Sequence, residues 1–106
     1  LGTPGGSRII TMVFLGLLEH LQGKPVTDWV NRPRFHHQYL PDVIQHEPKT
    51  FSKEVKNALK AKGHKLKNIK RQYGNMHAIL LDKKTGKVSA ASDKRGAGQA
   101  QVQDRK

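Results

Sequence analysis

Leu1-Gly-Thr-Pro-Gly-Gly-Ser-Arg8 runs directly into the apolar stretch Ile9-Ile-Thr-Met-Val-Phe-Leu-Gly-Leu-Leu-Glu-His-Leu21, and this junction decides how the rest of the chain is read. Pro4 fixes one backbone angle, while Gly5 and Gly6 permit conformations closed to residues with a side chain. Ser7 is placed to cap the first free N–H groups of a helix over residues 7–22. Ile10, Val13, Phe14, Leu17, Leu18 and Leu21 recur at the spacing of one helical face, and Ile9, Met12 and Leu15 widen the stripe, so this helix is expected to be mostly buried. A glycine turn opening a helix can aim backbone N–H donors at an anionic oxygen. At this point it reads equally as a phosphate cradle, an oxyanion site or a plain turn with a cap.

Gln22-Gly-Lys-Pro25 stops the helix. Thr27 then reads as the N-cap of a short helix through Asp28, Trp29 and Val30, which ends before Pro33 and is held down by Trp29 and Val30. Arg32-Pro-Arg-Phe-His-His-Gln-Tyr-Leu-Pro41 reads as extended, followed by a short strand at residues 43–47. A second amphipathic helix is expected from Thr50 or Ser52 to Lys62, with Phe51, Val55, Ala58 and Leu59 on one face, most lysines facing water and Gly63 closing it. Beyond Gly63 the period changes. Residues 64–69, 77–82 and 87–91 read as three strands, the last two joined by the turn Asp82-Lys-Lys-Thr-Gly86. The residues therefore predict a mixed α+β chain, and residues 96–106, made of Gly, Ala, Gln and charges, are expected to form a disordered tail.

At 106 residues and 35% hydrophobic content the chain supports one small core at most. Its apolar residues cluster in elements that each need a partner, which points to part of something larger. Twenty Lys plus Arg against eight Asp plus Glu give a net charge of +12, so nucleic acid, an anionic membrane surface or an acidic partner all deserve consideration. The lysine-rich stretch Lys53–Arg71 lacks both interleaved aromatics and a recognition helix, and its bland reading is a solvated face. No cysteine is present, which excludes disulfides and thiolate metal sites. Of the six histidines, His36 and His37 are adjacent in an extended segment and so point to opposite faces, and no His-x-x-x-His pair exists, so no metal is expected. The apolar run of about 13 residues is too short and too polar to span a bilayer, and it is not a signal peptide. Neither a Gly-x-Ser-x-Gly elbow nor a Ser-x-x-Lys nucleophile is present.

Four blocks, Gly2-Thr-Pro-Gly-Gly-Ser-Arg-Ile-Ile-Thr11, Arg32-Pro-Arg-Phe-His-His-Gln-Tyr-Leu-Pro-Asp42, Leu59-Lys-Ala-Lys-Gly63 and Ala91-Ser-Asp-Lys-Arg95, resemble in order and spacing the C-terminal half of the small subunit of gamma-glutamyltranspeptidases. The resemblance covers residues 1–95. It implies a part of the four-layer αββα sandwich of N-terminal nucleophile hydrolases, incomplete without upstream segments and made from a precursor that cuts itself into large and small subunits. It further implies a gamma-glutamyltransferase or glutathione hydrolase that needs no cofactor. In that chemistry an N-terminal threonine, serving as its own base, attacks the gamma-glutamyl amide of glutathione and passes the acyl group to water, an amino acid or a peptide.

Carried over residue by residue, the paired oxyanion-hole glycines fall on Gly5 and Gly6, and Ser7 caps the helix that holds them. The nucleophile and the residues that hold the glutamyl group lie upstream of Leu1 in family members. Thr3 is neither amino-terminal nor in the matching position and is no substitute, so the chain alone is expected to be inactive. Its implied partners are the remainder of the small subunit, the large subunit and a gamma-glutamyl substrate. The implied location is periplasmic or extracellular, with any targeting signal upstream. Arg34, His36 and Gln38 read as structural, tying the short helix to the sheet. The chain departs from the family's usual Ser-Asp-Pro-Arg at Lys94 and in its Gly-, Gln- and Lys-rich tail. The alternatives are a cephalosporin (glutaryl) acylase of the same fold and, in another class, a small basic nucleic-acid-binding module.

Overall fold

The computed structural model describes residues 1–103. In chain order its elements are α1 (Ile9–Leu21), α2 (Val26–Asn31), β1 (Phe35–His36), β2 (Ile44–His46), α3 (Lys53–Ala61), β3 (Leu66–Asn68), β4 (His77–Leu81) and β5 (Val88–Ser92), with a 3-10 turn at Gly6–Arg8 ahead of α1. The chain is mixed α+β. Of the tail expected at residues 96–106, the last three lie outside the described residues; residues 96–103 carry neither helix nor strand. Contacts divide the chain into two units, one built from Leu1–Arg32 with the chain from Gly74 onward, the other from Pro33–Tyr73.

In the first unit β4 and β5 form an antiparallel hairpin that pairs His77 with Ser92 and Leu81 with Val88. Period-2 alternation splits its side chains between two faces. Ala78 and Ala91 are buried on the face against which α2 packs, whereas Ile79, Leu81 and Val88 stand exposed on the other. Asp82 closes the hairpin: its carboxylate accepts the N–H groups of Lys84 (2.9 Å) and Thr85 (3.3 Å). Helix α2 is pinned by Trp29 and Val30, both buried. The Trp29 indole N–H donates to the Lys24 carbonyl at 3.0 Å, and its ring meets His20 edge-on.

Two N-caps differ from the sequence reading. Helix α2 begins at Val26, with Pro25 in extended conformation as its N-cap, so Thr27 lies inside the helix. Pro25 has no N–H to leave unsatisfied, which suits it to this boundary. Ser7 likewise is not a cap. It sits within the 3-10 turn, and α1 starts from Arg8 with no side-chain cap bond. Nor is α1 mostly buried. Met12, Leu15 and Gly16 are its buried residues, while Ile10, Phe14, Leu17 and Leu21 are exposed, Ile10 at 81% and Leu21 at 78%. A helix apolar on all sides does not declare which side faces its own core.

The second unit is a three-stranded sheet in the order β1-β2-β3, antiparallel between β1 and β2 and parallel between β2 and β3. Parallel neighbours need a crossover, and α3 supplies it. The Ser52 hydroxyl caps this helix by accepting the Val55 N–H, and Gly63 follows its last turn. Lys53 and Lys60 are exposed and Lys56 half-buried. His36, in β1, is buried, and His37, just beyond the strand, is exposed. Buried Arg34 and Glu47 draw the ends of the unit together. The Glu47 carboxylate accepts the backbone N–H of Arg34 at 2.8 Å and of Tyr73 at 2.9 Å, and the Arg34 guanidinium donates to the Tyr73 carbonyl. The described bonds of His36 and Gln38 also run inside this unit: His36 Nε2 pairs with Gln38 Oε1, and the Gln38 amide donates to Leu40 O.

Candidate active site

The glycine turn is held at both ends by backbone. Upstream, Gly2 pairs with His77 in an antiparallel bridge, its N–H donating at 3.0 Å and its carbonyl accepting at 2.9 Å. Downstream, Arg8 N–H donates to Gly5 O at 3.2 Å, and Ile9 N–H donates to Gly6 O. Between these anchors Gly5 has φ +152° and Gly6 φ +59°, values that L side chains rarely adopt and that explain the glycine pair. Gly5 lies close over the first turn of α1: a Cβ there would stand 2.4 Å from Met12 Cε, whereas a Cβ on Gly6 would meet nothing within 4 Å.

Two consecutive N–H groups result, on Gly5 and Gly6, both exposed and neither donating to any acceptor among the described residues. The opening turn of a helix leaves such donors unsatisfied, and the helix dipole favours negative charge there. The chemistry available to the turn is the binding of one anionic oxygen by two backbone donors, with open space beyond Gly6 for the group that carries it.

Sequence reasoning missed the residue that ties the turn to the sheet. The Thr3 hydroxyl donates to Pro4 O at 2.9 Å and accepts the Asn75 N–H at 3.0 Å across a separation of 72 residues. A contact so distant in sequence has no local signature.

The block Ser92-Asp-Lys-Arg95 closes the same unit. Buried Asp93 accepts Met76 N–H at 3.0 Å through one oxygen. Through the other it accepts the N–H (2.9 Å) and the guanidinium (3.0 Å) of Arg95, whose guanidinium also donates to Val30 O and Arg32 O. Lys94, at the position where a proline is usual, donates its N–H to Asn31 Oδ1 at 3.1 Å, a bond proline could not make. Among the described residues no group of three or more His, Asp or Glu could hold a metal ion, and no helix is long and apolar enough to cross a membrane. A cavity of about 420 Å³ borders the hairpin, with Leu1, His77, Ile79, Ala90, Gln99 and Gln101 in its wall.

Comparison with known proteins finds relatives over nearly the whole chain. The family model described as gamma-glutamyltranspeptidase matches residues 1–103. The glutathione hydrolase proenzyme of Escherichia coli K12 is 41% identical over 95 residues, which are 89% of this chain and 16% of that protein. Among solved structures, the gamma-glutamyltranspeptidase of Pseudomonas nitroreducens complexed with L-DON superposes with a TM-score of 0.84 at 36% identity, covering 97% of this chain and 54% of that one. An acivicin-inhibited gamma-glutamyltranspeptidase, whose structure is described as revealing critical roles for its C-terminus in autoprocessing and catalysis, gives 0.82 at 33% identity over 92% of this chain and 53% of that one. The chain thus spans about half of the solved chains and a sixth of the E. coli relative. These relatives lend no support to the nucleic-acid or acylase alternatives.

Proposed function

The chain belongs to the gamma-glutamyltranspeptidase family, and we propose that residues 1–95 serve as the C-terminal portion of the small subunit of a gamma-glutamyl hydrolase and transferase, with Gly5 and Gly6 as its oxyanion hole. The observation that carries this reading is the pair of N–H groups that meet no acceptor among the described residues, on a turn whose backbone favours glycine at both positions. Attack on a gamma-glutamyl amide turns the carbonyl oxygen into an alkoxide. Backbone donors fixed in advance stabilise that charge with no reorganisation, and removing one donor typically costs about 2.7–4 kcal/mol of transition-state stabilisation.

The nucleophile is an N-terminal threonine supplied by the rest of the precursor. Its hydroxyl oxygen bonds to the amide carbon while its amino group takes the proton. On collapse the leaving amine departs with that proton, and the acyl group passes to water, an amino acid or a peptide. The fold of the whole is the four-layer αββα sandwich. Supporting this, the β4–β5 hairpin carries a helix on one face and presents Ile79, Leu81 and Val88 on the other, and α1 is apolar on the side turned away from its own core.

The test is hydrolysis of a gamma-glutamyl anilide. The complete autoprocessed protein is expected to release the aniline and this chain alone to release none. In the complete protein Gly6→Val, which sets a branched side chain beside the reacting carbon, is expected to lower turnover by about 10²-fold, the scale of a misplaced reacting group, and by more than its loss of folding stability accounts for. A complete protein without threonine at the processed terminus, or equal losses of turnover and stability, would reduce the glycines to a structural turn.

A further inference from the structure

We infer that Thr3 is a positioning residue for this chemistry: its hydroxyl sets the plane of the Pro4–Gly5 peptide and so aims the Gly5 N–H. The inference rests on the oxyanion reading of Gly5 and Gly6. A peptide unit is planar and trans, so its C=O and N–H point in opposite directions, and whatever holds the carbonyl oxygen orients the N–H on the far side. The donor on Gly5 shares its plane with Pro4 O; the donor on Gly6 shares its plane with Gly5 O.

Each carbonyl has its own partner. Gly5 O accepts the Arg8 N–H at 3.2 Å, a bond internal to the helix start that any sequence with the same backbone would make. Pro4 O has no such backbone donor among the described residues and is held by the Thr3 hydroxyl at 2.9 Å. That hydroxyl is itself oriented, because its oxygen accepts the Asn75 N–H at 3.0 Å. The hydroxyl oxygen also lies 3.9 Å from Met12 Sδ, but a carbonyl oxygen at 2.9 Å is the stronger acceptor for its single proton.

The plane needs such a partner. With φ at +152°, Gly5 is a residue at which the preceding peptide can swing with little steric resistance. The neighbouring segments supply rigid supports for the hydroxyl: the Gly2–His77 bridge precedes Thr3 directly, and Asn75 precedes buried Met76, which is bonded on both sides to Asp93. Thr3 thereby links the sheet to the orientation of one catalytic donor without touching substrate.

The experiment is made in the complete autoprocessed protein, with activity counted per processed small subunit. Thr3→Val keeps the shape and removes the hydroxyl; Thr3→Ala removes it with less crowding; Thr3→Ser restores it. Both hydroxyl-free variants are expected to lose roughly ten- to a hundredfold in kcat for a gamma-glutamyl anilide, the scale of a small misplacement of a reacting group. KM should stay within about twofold, because the neutral amide carbonyl of the substrate draws far less on the oxyanion donors than the alkoxide does, and Thr3→Ser should recover most of the turnover. Unchanged kcat in the valine and alanine variants, a fall in thermal midpoint and a rise in KM that accompany the fall in kcat, or no recovery by serine would each overturn the inference. Failure of the oxyanion reading is separate: there the unsubstituted protein does not hydrolyse the anilide, or Gly6→Val turns over normally.

Discussion

At the scale of single residues the turn separates two glycines that look equivalent in sequence. Gly5 is confined twice, by φ +152° and by Met12 Cε standing where a side chain would go; Gly6 is confined by its φ of +59° alone, with open space around it. Gly6→Ala is therefore expected to cost about 1–2 kcal/mol, the left-handed penalty for an L residue. Gly5→Ala is expected to cost more, since Met12 must also give way. The contact is with the end of the Met12 thioether chain, so Gly5→Ala should cost less when made in a Met12→Ala background than in the unsubstituted protein, approaching the figure for Gly6→Ala. Thermal midpoints of Gly6→Ala, Gly5→Ala, Met12→Ala and the Gly5→Ala/Met12→Ala double variant in the complete protein measure this. Equal destabilisation by the two single alanine substitutions would show that the close approach to Met12 carries no weight. The glycine pair was legible in the sequence because the backbone demand is local. Thr3 was not, because the partner that fixes its role lies 72 residues away at Asn75.

At the scale of elements, what could be read ahead of the structure follows from where the determining contact lies. Helix α3 was legible at both ends because Ser52 and Gly63 act within one turn, and the hairpin was legible because Asp82 organises its own turn. The N-caps of α1 and α2 were misread because the cap residues are Arg8 and Pro25, neither with a side-chain cap bond, so the search for a Ser or Thr oxygen pointed to the wrong residue. The hairpin turn gives a pH prediction. Lys84 and Thr85 N–H groups hold the Asp82 carboxyl below its ordinary value of 3.8. A lowered folded value means that the carboxylate stabilises the turn above the unfolded value and that this contribution is lost as pH falls through the folded one. Amide exchange at Lys84 and Thr85, corrected for its intrinsic pH dependence, is thus expected to show protection that persists at pH 5 and declines below about pH 3.8. Asp82→Ala should show the low protection at both. Protection independent of pH in the unsubstituted chain would mean that the turn is held by its backbone bonds alone. The Asp93–Arg95 pair, with side chains 0% and 4% exposed, belongs to the same scale. Arg95→Lys surrenders the planar fork that reaches Asp93, Val30 O and Arg32 O together, and a lower thermal midpoint is expected because a single ammonium cannot serve all three acceptors.

At the scale of the whole molecule two properties compete, a net charge of +12 and an uncovered apolar face. Ile10, Phe14, Leu17 and Leu21 follow one another at spacings of four, three and four along α1, so they share one side of the helix. Covering such side chains fully is worth about 1.5–3 kcal/mol each. Among copies of this chain alone, that attraction is opposed by like charge, and charge is the part that salt screens: the Debye length falls from about 10 Å at 0.1 M to about 3 Å at 1 M. The isolated chain is therefore expected to sediment as monomer at low ionic strength and to associate as salt is raised. Ile10→Lys with Leu21→Lys should keep it monomeric throughout, without disturbing Met12 and Leu15 on the buried side. Binding to a polyanion through the lysines of Lys53–Arg71 would respond in the opposite sense, weakening steeply with salt as counterions cease to be released. The sign of the salt dependence thus decides which property governs the chain. Association that weakens with salt, or that survives the two lysine substitutions unchanged, would show that the apolar side of α1 is not an associating surface.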